Sequence, residues 1–119
     1  MITQEHQNKI LEEAKRVRGI FPKGKNKGKC FDAASLLQES LESFSNDEFY
    51  VSIQFGWFNE ETHCWIEVWN NCPPVILDVT VDQFGDELPE ILFDSPSNWP
   101  QYTYDVGEIR CRRIMTGLN

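Results

Sequence analysis

Phe49-Tyr50-Val51-Ser52-Ile53-Gln54-Phe55-Gly56-Trp57, His63-Cys64-Trp65-Ile66-Glu67-Val68-Trp69 and Pro74-Val75-Ile76-Leu77-Asp78-Val79-Thr80 follow one another with little between them. β-Branched and aromatic residues dominate all three runs, which predicts strands. Asn59-Glu60-Glu61-Thr62 separates the first two, and Asn70-Asn71-Cys72-Pro73 the second pair. Both spacers are rich in turn-forming residues. Connections this short return the chain antiparallel, so the three runs predict a meander.

Upstream, the apolar period changes from two to that of a helix. Ile10, Leu11, Ala14 and Val17 predict a helix from Thr3 to Arg18, with Gly19 as its stop. A loop from Gly19 to Lys29 follows, with Pro22, Gly24, Gly28 and four lysines. Cys30, Ala34, Leu37, Leu41 and Phe44 then form one apolar stripe, predicting a second helix from about Cys30 to Phe44 that Ser45-Asn46-Asp47 ends. Downstream, Asp82 to Gln101 carries Gly85, Pro89, Pro96 and Pro100 and reads mostly as loop. Tyr104, Val106, Ile109 and Ile114 suggest a last strand within Tyr102 to Met115. The expected class is α+β: N-terminal helices packed on an antiparallel sheet, in one domain spanning 1–119.

Composition narrows the function. The chain of 119 residues is 40% hydrophobic and 13% aromatic, enough for a packed core. A net charge of -8 argues against nucleic acid and anionic lipid as partners. The first residues offer no basic and apolar leader pattern, and no apolar run is long enough to span a membrane. A cytoplasmic location with reduced thiols is expected, with signal-independent export left open. Cys30, Cys64, Cys72 and Cys111 show no disulfide or zinc-knuckle spacing. Cys64, Cys72 and Cys111 read as structural.

Cys30, His63 and Asp78 stand apart. Cys30 opens the second helix, whose N-terminus favours an anion and so a thiolate. His63 opens the second strand, and an imidazole beside a thiol can hold it ionised. Asp78 lies between Leu77 and Val79, where a carboxylate is costly unless paired. On neighbouring strands it can orient the imidazole from its far side. Each residue alone has a plain structural reading, as core thiol, strand-edge histidine or ion-pair partner. Together, in this order, they point to nucleophilic catalysis.

Gly28-Lys29-Cys30-Phe31-Asp32-Ala33-Ala34-Ser35-Leu36-Leu37, His63-Cys64-Trp65-Ile66-Glu67-Val68 and Ile76-Leu77-Asp78-Val79-Thr80-Val81-Asp82-Gln83-Phe84 resemble the transglutaminase-like cysteine enzymes of the broad papain-like group. Members of that family often read His-Ala-Trp-Val-Glu and Leu-Asp-Pro-Thr. Here Cys64 stands for the alanine and Val79 for the proline. The resemblance covers about half of the chain. It implies a papain- or transglutaminase-like core, a Cys30-His63-Asp78 triad, and acyl transfer or hydrolysis on a protein or peptide amide through a thioester. Protease, glutamine deamidase and transglutaminase chemistries all fit it, and none needs a cofactor.

Trp65 and Gln83 are the substrate-binding candidates. The backbone N–H of Cys30 is the first oxyanion donor, and Gln83 or Asn26 a second. Glu60, Glu61, Glu67, Asp82, Asp86 and Glu87 suggest a basic substrate or partner. Gly24 to Lys29 is a poor phosphate loop, because Cys30 stands where Ser or Thr is required; it reads as a solvated loop or a lid over Cys30. A zinc site on Cys30, His63 and Asp78 has suitable ligand types but no close ligand pair. The rival reading is a non-catalytic acidic binding module, of inhibitor or immunity type, that neutralises a basic partner.

Overall fold

A computed structural model describes residues 3–43, 49–70 and 74–104. The expectations for Phe44, Ser45-Asn46-Asp47, Asn71-Cys72-Pro73, Cys111 and the strand beyond Tyr104 lie outside them. Helix α1 spans Gln4–Ile20, and the Thr3 hydroxyl accepts from the His6 N–H at 3.1 Å as its N-cap. It runs past Gly19 and leaves the helical conformation at Phe21. Pro22 explains that boundary, since its ring disfavours a helical residue before it. Helix α2 is Cys30–Glu42, and no side chain caps its N-terminus at Lys29.

Five strands follow: β1 (Tyr50–Phe58), β2 (Glu61–Trp69), β3 (Val75–Asp78), β4 (Leu92–Asp94) and β5 (Tyr102–Tyr104). They form one sheet in the order β4-β3-β2-β1-β5, with every pair antiparallel. The predicted meander is its centre. The β1–β2 turn is tighter than the sequence suggests. Only Asn59 and Glu60 lie between the paired Phe58 and Glu61, with φ of 47° and 72°. Two left-handed residues give the hairpin turn whose twist matches its strands.

The segment from Asp82 to Gln101 is mostly loop, as expected, but short elements interrupt it. It contains a 3-10 turn at Val81–Phe84, strand β4, and a second 3-10 turn at Pro96–Asn98. Its strand is only three residues long and its hydrogen bonds go to β3, so no local periodicity announces it.

The sheet is covered on both faces. Ile10, Ala14 and Val17 of α1 and Ala33, Ala34, Leu37 and Leu41 of α2 pack with Val51, Cys64, Ile66, Val68 and Leu77. On the other face Phe58, Trp65, Ile76, Val81, Leu92 and Tyr102 form a second core. β2 is therefore buried without a break from His63 to Trp69.

Arg18 ties the layers together. Its Nη1 donates to Asp82 Oδ1 at 2.7 Å and its Nη2 to Asp82 Oδ2 at 2.6 Å. Nη1 also donates to the Val79 carbonyl at 3.0 Å. This fork links the end of α1 to the chain just beyond β3.

Candidate active site

His63 and Asp78 sit on the sheet face turned away from the helices. Strand alternation puts His63 with Trp65, and Cys64 with Ile66 on the helix side. The β2–β3 ladder pairs Ile66 with Leu77, which places Asp78 on the His63 face. The ladder ends there, short of His63 and Cys64. A narrow seam at this point is lined by Cys30 and Ala33 of α2, by Cys64 and Ile66 of β2, and by Asp78 and Val79. The N-terminus of α2 thus meets the sheet where β2 and β3 part. Cys30 and His63 also line one larger pocket. The predicted trio is brought together from both sides of the sheet.

Asp78 is the hub. Its Oδ2 lies 2.6 Å from His63 Nε2 and accepts from the Tyr102 hydroxyl at 2.7 Å. Its Oδ1 accepts from the Thr80 N–H at 2.9 Å. An ionised carboxylate only accepts, so it selects the His63 tautomer that carries a proton on Nε2. Nδ1 is left for the thiol side. It is buried and, among the described residues, makes no close hydrogen bond; Cys30 acts on the ring at longer range. Long contacts of this kind tighten when substrate binds.

Aromatic rings wall in the imidazole. Phe84 meets it edge-on at 4.8 Å, and Trp65 and Tyr102 lie at 5.8 and 6.3 Å. Burial alone would push the His63 pKa down. The charge and hydrogen bond of Asp78 outweigh it, with help from Cys30, and raise it to about 9. The Cys30 thiol is lowered to about 4. The Cys64 thiol beside it favours the thiolate most, burial opposes it, and His63 adds to the lowering. The Cys64 thiol is raised in turn, chiefly by Cys30. Between those values the pair is thiolate and imidazolium, the reactive form of a cysteine nucleophile.

Tyr102 and Cys64 are the residues that sequence reasoning missed. Tyr102 reaches Asp78 because β5 pairs with β1, setting Phe58 opposite Tyr102. No local motif marks such a role. Cys64 reads as structural in the sequence, and strand alternation points it away from the His63 face. Cys30 lies on that side too.

The substrate-binding candidates fare differently. Trp65 is 1% exposed and packs edge-on against Tyr102 at 4.7 Å, in the second core and off the pocket lining. The Gln83 amide is committed to the loop: Oε1 accepts from the Gly28 N–H at 3.1 Å, and Nε2 donates to the Thr80 carbonyl at 3.1 Å. Asn26 donates to Asp82 Oδ1 at 2.8 Å. Each amide nitrogen gives one of its two N–H groups to these bonds. Together they pin the lysine-rich loop to the chain after β3, so that loop is a bracket rather than a lid.

The acidic cluster also disperses. Glu67 is buried and accepts from the Tyr104 hydroxyl. Asp82 is locked to Arg18, and Asp86 pairs with Lys23 at 2.8 Å. None of the six acids lines the pocket. Among the described residues, no group of three or more His, Cys, Asp or Glu side chains is arranged to hold a metal ion. None of the described helices is long and apolar enough to cross a membrane.

No protein-family model, curated protein or solved structure matches this chain.

Proposed function

We propose that this protein is a cysteine-dependent acyl-transfer or hydrolytic enzyme acting on a protein or peptide amide, with a papain- or transglutaminase-like core. One observation carries the reading: a buried imidazole is bonded to Asp78 through Nε2, while its other nitrogen makes no close hydrogen bond among the described residues and sits in a site shared with Cys30. A purely structural histidine would normally satisfy both nitrogens.

The Cys30 thiolate attacks the amide carbonyl carbon, forming a C–S bond and a tetrahedral oxyanion. The backbone N–H of Cys30, at the uncapped start of α2, faces that developing charge as one donor. His63 gives its Nδ1 proton to the amine as the C–N bond breaks, leaving a thioester. Water or an acceptor amine then attacks the thioester carbon, His63 takes up the incoming proton, and the C–S bond breaks to release the acid or new amide and return the Cys30 thiolate beside the His63 imidazolium. Asp78 holds the ring in place throughout, and Tyr102 is a positioning residue that acts through Asp78.

The test is selective alkylation. Iodoacetamide at neutral pH should label Cys30 far faster than any other cysteine. His63→Ala should slow that labelling by at least tenfold, and Cys30→Ser should abolish turnover while the protein stays folded. Slow, unselective labelling, or full biological activity in Cys30→Ser, would instead favour the acidic binding module.

A further inference from the structure

The pocket beside Cys30 has a chemical character of its own. Its volume is about 440 Å³, and Cys30, Phe31, Phe55, Gly56, Trp57, Thr62, His63 and Cys64 line it. Ligand sites typically run from roughly 300 to 1,000 Å³. Among the described residues, no acidic or basic side chain other than the proposed catalytic groups borders it. Phe31 is 52% exposed and Phe55 43%, and their rings stack at 5.8 Å. Exposed phenylalanines are costly to leave in water, and these two flank the nucleophile.

We propose that this pocket receives a large apolar acyl group: an aromatic or branched aliphatic residue carrying the carbonyl that Cys30 attacks. The inference rests on the catalytic reading above and supplies its substrate class. The acyl portion stays bonded to Sγ through both half-reactions, so it must occupy the space onto which Cys30 opens. Phe31 follows the nucleophile on α2, and Phe55 pairs across the ladder with Cys64. Both rings are thus fixed relative to Sγ by secondary structure. A lysine or arginine side chain would find no counter-charge on these walls and would lose hydration.

Three 4-nitrophenyl esters test it, carrying acetyl, 3-phenylpropanoyl and 6-aminohexanoyl groups. Acylation of Cys30 is followed by intact mass and by the nitrophenolate burst. The phenylpropanoyl ester should acylate at least tenfold faster than either of the others. Phe31→Ser and Phe55→Ser should bring that ratio within threefold. Equal rates in the wild-type protein, or a preference unmoved by both substitutions, would overturn the pocket assignment while leaving the thiol chemistry intact. If no ester acylates Cys30, the catalytic reading fails instead. A separate binding measurement then judges the pocket: Cys30→Ser should bind N-acetyl-phenylalaninamide at least tenfold tighter than the alanine or lysine analogue, and equal affinities would overturn it.

Discussion

At the scale of single residues, the site makes opposing demands that its neighbours resolve. His63 is walled in by rings, yet Asp78 keeps it readily protonated. The rate profile should therefore be a bell. Its acid limb reports the thiol near 4, since protonation below that value removes the nucleophile. Its alkaline limb reports His63 near 9, since above it the ring has no proton to give the leaving amine. Measuring kcat/KM from pH 3 to 10 on an amide, the 4-nitroanilide of N-acetyl-phenylalanine, checks both limbs, because its leaving amine needs the proton. Cys64→Ala removes the group that most favours the thiolate, so its acid limb should move to higher pH. The pH dependence of iodoacetamide labelling reads that shift directly, and an unmoved limb would show that Cys64 is only packing. Tyr102→Phe keeps the ring but deletes one of the hydrogen bonds on Asp78. A loss of about tenfold in kcat with KM unchanged is expected, on the scale of one charge-assisted hydrogen bond of about 1.5 kcal/mol. Cys30, His63 and Asp78 were legible in sequence because the proposed reaction needs those side-chain types. Tyr102 was not, because its partner lies 24 positions upstream and only strand pairing brings them together.

At the scale of elements, the hairpin and β5 fix the site. Glu60 carries a φ of 72°, which an L side chain adopts at a cost of about 1–2 kcal/mol. Glu60→Gly should raise stability by up to about that amount with activity unchanged, as chemical denaturation will read. Gly56 behaves in the opposite way. It pairs with His63 on one side and Tyr104 on the other. A Cβ there would stand 2.1 Å from the Thr103 carbonyl oxygen, so β5 would have to move. Gly56→Ala should destabilise the fold and loosen the Tyr102–Asp78 contact, giving a lower Tm together with a lower kcat. The helices and the three-strand meander were readable because each carries its own period. Strand β4 was not, because Leu92-Phe93-Asp94 is too short for alternation and is held by β3 alone.

At the scale of the molecule, the sheet separates two cores and Arg18 clamps them. Burial opposes ionisation of Asp82, but hydrogen bonds from Arg18 and Asn26 hold its carboxyl below the usual carboxylate range. A depressed folded-state pKa contributes stability that is complete above the unfolded value, about 3.9, and is lost as pH falls through the folded one. Thermal melts should therefore show Tm falling below about pH 4, with a flatter acid limb in Asp82→Asn. Arg18→Met leaves the Asp82 carboxylate buried without its partner and should cost about 3–5 kcal/mol in denaturant titration. Apolar periodicity predicted one helix-facing core. The second was hidden because the chain after β3 covers it, and because the six acids of Glu60 to Glu87 suggest a basic partner rather than interior groups. In the fold two of them, Glu67 and Asp82, are interior groups.

The ring of aromatics around His63 also gives the protein an optical reporter. Trp65 lies 5.8 Å from the imidazole, and a protonated imidazole quenches indole emission by accepting an electron from the excited state. Emission should brighten as pH rises through about 9. The step should move to lower pH in Cys30→Ser, where the negative sulfur no longer supports the ring's charge. Titrating the fluorescence of the unlabelled protein, without any substrate, would let the proton on His63 be followed directly.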